Sequence, residues 1–223
     1  MSRRISNNTK NTRGMGKGKG KDYKPYITTS EFNSQGTTSI IKDWKTNRGI
    51  HCLSQGEALW YYILRWDDSN IDIREQYPLN KDMTLKISSD NGFKHPGDKN
   101  YIMTTDFIVT KEDMSLEAYS IKANRELNKR SLEILCIEKL YWNSMGVPFK
   151  LLFKTDVNKI LAANIRLVTE FYDLDTVFDK YSAFKHKVAV KEYKIDMEHE
   201  LITNNDIEKI LKVRDERYSI FGR

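Results

Sequence analysis

The stretch of residues 104–122, TTDFIVTKEDMSLEAYSIK, constrains the fold of this chain more than any other. Residues 107–109 are strand formers, residues 111–113 and their neighbours form a polar turn, and residues 116–121 can return as the partner strand. The pattern predicts an antiparallel β-hairpin whose two outer ends are charged.

The register of this hairpin decides which charged groups meet. A turn centred near Asp113 pairs residues whose numbers sum to about 226, so that Asp106 lies opposite Ser120 and Lys122 lies on the diagonal. A carboxylate and an amine are then expected at one edge of the sheet. Taken alone, this pair also fits a cross-strand ion pair, which contributes only tenths of a kcal/mol when it is exposed.

A helix and a further strand follow the hairpin. Residues 127–144 have the helical spacing of apolar residues and end before Gly146 and Pro148, and residues 149–153 predict a buried strand. Strand, helix and strand make a βαβ unit, so part of the sheet should be parallel with a right-handed crossover. The residues expected to face inward from the helix are Leu132, Leu135, Cys136 and Leu140.

The remaining elements follow from similar patterns. SQGEALWYYILRW (54–66) predicts a strong amphipathic helix, and NIDIREQYPL (70–79) predicts a strand that ends at Pro78. Residues 80–100 are polar and contain Gly92, Pro96 and Gly97, so a loop or a short hairpin is expected. After Thr155 the pattern predicts helices, over 156–172, 174–186 and 203–217.

Composition excludes several classes of protein. The chain has 223 residues, no apolar run close to the roughly 18 residues that a membrane span needs, and no apolar segment behind its basic N-terminus. No spacing of Cys and His suggests zinc. Cys52 and Cys136 lie far apart in apolar surroundings, which predicts reduced core residues in an intracellular, cytoplasmic protein.

The net charge of +6 is unevenly distributed. Residues 1–24 carry eight Lys or Arg against one Asp, or +7, so the rest of the chain is close to −1. This Gly- and Lys-rich segment predicts a flexible basic arm, and its Lys17, Lys19 and Lys21 are candidate DNA contacts. The body of the protein would need a local patch to bind nucleic acid.

A second carboxylate changes the interpretation of the hairpin. Glu57 begins the helix over 54–66, where Ser54-x-x-Glu57 also fits a capping box. A carboxylate at a helix start can also point past the helix end toward a sheet edge. Glu57, Asp106 and Lys122 then have the order of a nuclease site, in which carboxylates hold Mg²⁺ and a lysine orients water or stabilises phosphate oxygens.

The residues around these three groups resemble the TnsA family, the endonuclease subunits of heteromeric bacterial transposases. The resemblance runs in family order from about residue 16 to residue 153. It is carried by GKGKDYKPYITTSEF, SQGEALWYYILRW, IDIREQYPL, GFKHP, TTDFIV, AYSIK and SLEILCIEKLYW. The most specific of these stretches is IDIREQYPL.

The resemblance implies a restriction-endonuclease-like α/β fold, with a mixed sheet flanked by helices. It places the catalytic carboxylates and lysine of the family on Glu57, Asp106 and Lys122, and a further glutamate on Glu138. Arg74, Glu75 and Gln76, at a strand end, are candidates either to contact substrate or to support the metal ligands. Lys94 and His95 are candidate phosphate contacts.

One position departs from the family pattern. The glutamine that the family places two residues before its lysine is Ser120 here. A hydroxyl is a poorer metal ligand than an amide or carboxylate oxygen, so Ser120 is expected to act through water. The alternative ligand is the backbone carbonyl of Ile121, beside Glu57 and Asp106.

The resemblance also implies an activity and partners. The expected reaction is Mg²⁺-dependent hydrolysis of DNA at transposon ends, with Mn²⁺ able to substitute. The chain would cut the non-transferred strand at the 5′ ends. A TnsB-like DDE transposase would cut and join the 3′ ends, and a TnsC-like AAA ATPase would link both to the target site. The protein would then act at the bacterial nucleoid.

Three domains are expected: a flexible basic arm over 1–24, an endonuclease domain over 25–153, and a mainly helical domain over 154–223 for partner or DNA contacts. The last would be a reduced winged helix, in which KHKVAVKEYKI (185–195) supplies a β-hairpin arm.

Three other functions are open from the sequence. A catalytically silent assembly subunit is supported by Ser120, although Glu57, Asp106 and Lys122 argue against it. A stand-alone restriction-type nuclease would need its own sequence-reading element, which we do not find. A general basic DNA-binding module is supported only by the arm.

Overall fold

The structure, a computed structural model, describes residues 5–31 and 37–221, without the side chains of residues 214–221. It contains two compact units, Met1–Val157 and Asn158–Arg223, where the sequence predicts a division after residue 153. The helices and strands described in the first unit are α1 (Asn7–Thr12), β1 (Ser39–Lys42), β2 (Gly49–Cys52), α2 (Gln55–Trp66), β3 (Asn70–Pro78), α3 (Lys81–Asp90), β4 (Thr104–Lys111), β5 (Leu116–Lys122), α4 (Lys129–Ser144) and β6 (Phe149–Phe153). Those of the second unit are α5 (Lys159–Thr169), α6 (Lys180–Ala189) and α7 (Asn204–Phe221).

A mixed four-stranded sheet, in the order β3-β4-β5-β6, organises the first unit. β3 pairs antiparallel with β4, and β4 pairs antiparallel with β5. β5 and β6 are parallel, as the βαβ pattern predicts. β1 and β2 form a separate antiparallel pair. The parallel pairing brings the carboxyl ends of β5 and β6 to one edge of the sheet.

Helices cover both faces of this sheet. Ile108 and Ala118 pack in a buried cluster with Ile137 and Trp142 of α4. The neighbouring Phe107 contacts the ring of Tyr61 on α2, with ring centroids 6.1 Å apart. Because adjacent strand residues point to opposite faces, α4 and α2 lie on opposite sides of the sheet.

Helix α3 corrects the prediction of a loop or hairpin over residues 80–100. The Asn80 side chain caps this helix by accepting a hydrogen bond from the amide of Met83 at 3.0 Å. Met83 and Ile87 pack against the core one turn apart, while Thr84 and Ser88 are buried. The polar composition of the segment conceals this narrow apolar stripe.

The buried face of α4 is also different from the predicted one. Leu135 is buried, but Leu132, Cys136 and Leu140 are exposed. The buried face instead includes the carboxylate of Glu138. The apolar pattern alone placed this face wrongly because an inward charged residue breaks the pattern. Cys136 is therefore not a core residue, whereas Cys52 is.

The N-terminal segment is folded over residues 5–24, which corrects the prediction of a flexible arm. Tyr23 is buried and donates a hydrogen bond to the carbonyl of Glu75 at 2.9 Å. Lys10 is buried and forms an ion pair with Glu31 at 2.8 Å. Gly16 has a φ of +77° and approaches Pro78 so closely that a Cβ would lie 2.4 Å from the ring. These anchors hold a segment whose composition resembles a disordered tail.

The second unit is helical over its described residues. The region predicted as a β-hairpin arm, 185–195, instead continues α6 to Ala189 and contributes the buried Val188. Residues 158–221 contain no strand, so the winged-helix prediction is not supported there. Asn164 fixes the segment after α6 by donating hydrogen bonds to the carbonyls of Met197 and Glu200 at 2.9 and 2.7 Å. None of the helices in the described ranges is both long and apolar enough to span a bilayer.

Candidate active site

A cavity of about 630 Å³ opens at the edge of the first unit where β5 and β6 end. Glu57, Asp106 and Lys122 all line it, although they come from α2, β4 and β5. Gln76 and Lys154 line the same cavity. The structure therefore brings the three strongest sequence candidates to one place.

Glu57 reaches the cavity from the first turn of α2. Ser54 caps this helix by accepting a hydrogen bond from the Glu57 amide at 3.1 Å, and its hydroxyl donates to Glu57 Oε1 at 2.8 Å. The amide of Leu53 donates to Glu57 Oε2, also at 2.8 Å. Capping and cavity lining are thus two roles of the same side chain, and the cap fixes where the carboxylate points.

Gln76 holds Glu57 from the other side. Its Nε2 donates a hydrogen bond to Glu57 Oε2 at 3.2 Å, and its Oε1 accepts one from the hydroxyl of Thr104 at 3.1 Å. Gln76 has a φ of +49° within β3, a conformation that costs a non-glycine residue about 1–3 kcal/mol. This backbone kink turns a buried amide toward the carboxylate.

Asp106 occupies the position that the hairpin register predicts. Phe107 pairs with Tyr119 and Ile108 with Ala118, so the sum of paired numbers is the predicted 226. Asp106 Oδ2 accepts hydrogen bonds from the amide of Ile121 at 2.6 Å and from the hydroxyl of Ser120 at 3.4 Å. Within the described residues, these bonds all fall on Oδ2, which leaves Oδ1 for a ligand.

The two carboxylates of the cavity repel each other. Burial first, and the charge of Asp106 next, raise the pKa of Glu57 to about 8. Hydrogen bonds from Leu53 and Ser54 and the charge of Lys122 lower it, but do not offset the rise. A cation between Glu57 and Asp106 would remove this repulsion.

This donor set fits Mg²⁺. Among the described residues, no group of three or more His, Cys, Asp or Glu is placed to enclose a metal ion. Mg²⁺ does not need such a cage, because it usually binds one or two carboxylates and completes its shell with water and substrate phosphate. Glu57 and Asp106 supply two carboxylates here. Ile121 also lines the cavity, and its amide is already bonded to Asp106.

Glu138 and Ser120 are not among the residues that line the cavity. Glu138 is buried in α4, where the hydroxyl of Thr105 donates to Glu138 Oε1 at 2.7 Å. Burial first, and the charge of Asp106 next, raise the pKa of Glu138 to about 8, although Lys122, Thr105 and Ser120 lower it. Ser120 supports Asp106 through its hydrogen bond to Oδ2, although it does not line the cavity.

The buried carboxylate of Glu138 leads to a testable dependence of stability on pH. Between its ordinary pKa of 4.5 and about 8, the folded protein keeps a proton that the unfolded chain has lost. Folded stability should therefore fall as pH rises through this range. In metal-free buffer, Glu138→Gln should reduce that fall by up to a few kcal/mol, measured by urea unfolding at several pH values.

A matched control is Glu133→Gln on the same helix, because Glu133 is only partly buried and pairs with Arg130. This variant should keep the pH dependence of the wild type. An unchanged pH profile in Glu138→Gln would contradict the assigned role of the buried carboxylate.

The candidate DNA contacts lie outside this cavity. Arg74 is buried, ion-paired with Asp72 at 3.2 Å and bonded to Thr110, so its position does not support a phosphate contact. His95 Nε2 is hydrogen-bonded to the hydroxyl of Thr84 at 3.2 Å, and the neighbouring Lys94 is exposed. The three candidate contacts in the N-terminal segment, Lys17, Lys19 and Lys21, all have exposed side chains.

Sequence reasoning missed Lys154 altogether. Lys122 pairs with Phe153 across the parallel strands, so the residue after Phe153 reaches the same edge as Lys122. The predicted βαβ unit contained this signal, since parallel strands end on the same side. Gln76 is one of the strand-end residues expected to contact substrate or support the metal ligands, but its kink has no signal in the sequence.

A mixed sheet flanked by helices places the first unit in the restriction-endonuclease-like class of folds. Residues 67–154 match the family described as "TnsA-like endonuclease N terminal". The chain is also 36% identical over 157 residues to the "Transposon Tn7 transposition protein TnsA" of Escherichia coli, an alignment that covers 68% of this chain and 58% of that protein. The chain is therefore a TnsA-like protein, as the sequence motifs predict, and spans little more than half the length of this relative.

Proposed function

We propose that this chain is the endonuclease subunit of a DNA transposition system and that its active site is the cavity at the ends of β5 and β6. The observation that carries the proposal is the meeting of Glu57, Asp106 and Lys122 in that cavity. Residues from three separate elements converge there, and the sequence motifs of a TnsA-like endonuclease include all three. The proposed substrate is duplex DNA at transposon ends.

The chemistry that these residues support is hydrolysis of a phosphodiester. A bound Mg²⁺ would supply a more acidic water and offset charge on the phosphate oxygens. Glu57 and Asp106 are the carboxylates that would hold it, with Mn²⁺ as a substitute. Lys122 lines the same cavity, and its ammonium is suited to orient the attacking water or stabilise the pentavalent oxygens.

The other polar residues position these groups. Gln76 and the α2 cap fix the Glu57 carboxylate, and the Ile121 amide fixes Asp106. The Ser120 hydroxyl adds a second hydrogen bond to Asp106. This arrangement restricts the rotation of both carboxylates before substrate binds, which lowers the cost of reaching the reactive geometry.

We further propose that the chain and two partner proteins carry out separate steps of transposition, as the family resemblance implies. The chain would cut the non-transferred strand at the 5′ ends and leave a 3′-hydroxyl and a 5′-phosphate. A TnsB-like transposase would process the 3′ ends, and a TnsC-like ATPase would connect both to the target. The near-neutral body of the chain supports dependence on partners, because phosphate attraction supplies most non-specific DNA affinity.

A catalytically silent assembly subunit is the second candidate, favoured by Ser120 in place of glutamine. The position of Ser120 weighs against this alternative, since its hydroxyl supports Asp106 and it does not line the cavity.

The test is a strand-resolved cleavage assay on labelled transposon ends with Mg²⁺, with the partners of the same element added one at a time. We expect the lone chain to cut poorly and the complete mixture to cut at the 5′ ends. Specific cutting by the lone chain would instead favour a stand-alone restriction-type nuclease. Failure of the complete mixture to cut the 5′ ends would favour the silent subunit.

A further inference from the structure

Lys154 is a second cation of the cavity and has no assigned role. β5 and β6 run parallel with Lys122 opposite Phe153, so Lys154 directly follows the last paired residue of its strand. Adjacent strands lie about 4.8 Å apart, and successive phosphates of one DNA strand advance about 3.4 Å along the helix axis. Two long side chains starting from neighbouring strand ends can therefore reach successive phosphates.

The stem of Lys154 is held against the start of α2. A Cβ at Gly56 would lie 3.2 Å from Lys154 Cβ and 3.1 Å from a methyl group of Ile121, so the glycine allows this close packing. The contact fixes the base of the side chain of Lys154, which lines the cavity. The residue is thus placed by packing and not by an ion pair.

The charge of Lys154 is not matched by the protein. In the part of the chain that the structure describes, no carboxylate forms an ion pair with Lys154, whereas Lys150 on β6 pairs with Glu117 at 2.7 Å. The charge of Lys122 already acts on Glu57 and Glu138, where it lowers both pKa values. Lys154 is therefore a second cation of this cavity that is available to an anionic ligand.

We propose that Lys154 binds the phosphate next to the one that is hydrolysed and so sets the position of the DNA strand in the cavity. This inference rests on the proposed function, because it takes the cavity to be a phosphodiester site. Lys122 then serves the reacting phosphate beside the two carboxylates, and Lys154 holds its neighbour. A lysine suits this contact, since its ammonium binds phosphate as a compact point charge.

The test measures DNA binding without divalent ions, so it does not depend on cleavage. The affinity of the full chain for a short duplex is measured in EDTA over a range of salt concentrations. Each phosphate contact contributes about 0.9 to the slope of log affinity against log salt on duplex DNA. Lys154→Gln should reduce the slope by about this amount, and Lys154→Arg should keep the wild-type slope.

The matched control is Lys150→Gln, which removes the same charge four positions earlier in the chain, from a residue of β6 that does not line the cavity. The slope of log affinity against log salt for Lys150→Gln should stay at the wild-type value. An unchanged slope in Lys154→Gln, or an equal decrease in Lys150→Gln, would overturn the proposal. Thermal unfolding of each variant confirms that the fold is kept, as expected for a partly exposed side chain.

A cleavage assay on the wild-type chain, compared with the salt slope of Lys154→Gln, tells a failure of the proposed function from a failure of the role of Lys154. If the wild-type chain fails to cut 5′ ends in the complete mixture while Lys154→Gln still lowers the salt slope, the proposed function fails and the phosphate contact stands. If the wild type cuts and Lys154→Gln has the wild-type slope, the function stands and the role of Lys154 is wrong.

Discussion

Asp106→Asn should lower the rate of 5′-strand cleavage on the order of 10³-fold, because it removes one of the two carboxylate charges in the cavity. The asparagine can still accept the hydrogen bond from the Ile121 amide, so the strand geometry is expected to survive. The measurement is the single-turnover rate on end-labelled DNA in the complete transposition mixture. The transposase should still cut the 3′ ends. This 3′ cleavage is the control that shows that the complex assembles.

The control for this variant lies on the same hairpin. Asp113 is exposed in the turn, where it accepts hydrogen bonds from the amide and hydroxyl of Ser115. Asp113→Asn removes the same charge outside the cavity and should leave the cleavage rate unchanged. Near-normal 5′ cleavage by Asp106→Asn would remove this carboxylate from the mechanism.

Lys10→Met should destabilise the first unit by about 3 kcal/mol, because it leaves the carboxylate of Glu31 buried without its cation. Lys10 donates a hydrogen bond to the carbonyl of Tyr26 at 2.7 Å, and its ammonium lies 4.4 Å from the centre of the Tyr26 ring. The side chains of Lys10 and Glu31 are only 4% and 3% exposed, so water cannot replace the lost contact.

The effect of Lys10→Met should depend on pH. Burial alone would raise the pKa of Glu31, but the hydrogen bond and charge of Lys10, with two backbone hydrogen bonds, bring it below 4.5. The stabilisation is therefore complete above pH 4.5 and is lost as pH falls through the lower pKa of the folded state. Urea unfolding should show a large difference between wild type and variant at pH 7 and a smaller one in acid.

Lys21→Met is the matched control for this prediction, since Lys21 is an exposed lysine of the same N-terminal segment. It should change the free energy of unfolding by no more than about 0.5 kcal/mol. Equal stabilities of the two variants would mean that the N-terminal segment is not anchored through Lys10, and would restore the prediction of a flexible arm.

The elements that the sequence predicts correctly depend on local rules. The hairpin register follows from strand alternation and one turn, and the parallel pairing of β5 and β6 follows from the βαβ pattern. Helix α2 is marked both by its amphipathic spacing and by the cap at Ser54. The three main candidate residues line one cavity because each lies near the end or start of such an element.

The features that were missed depend on contacts between distant segments. Helix α3 shows few apolar residues because it covers the core with a narrow stripe. The N-terminal segment is anchored by a few buried side chains, among them Met15 and Tyr23, within a Gly- and Lys-rich composition. The kink at Gln76 serves a carboxylate nineteen positions earlier in the chain, a contact that no local pattern encodes.

The proposed role of Glu57 and Asp106 is to hold a divalent cation together in the cavity. Its most direct test is calorimetric titration of Mn²⁺ into the metal-free full chain, for the wild type, Glu57→Gln, Asp106→Asn and the control Asp113→Asn. We predict binding in the wild type and the control, and affinity at least about tenfold weaker in each cavity variant. Equal Mn²⁺ affinity in all four proteins would contradict the assignment of this cavity as the metal-dependent active site.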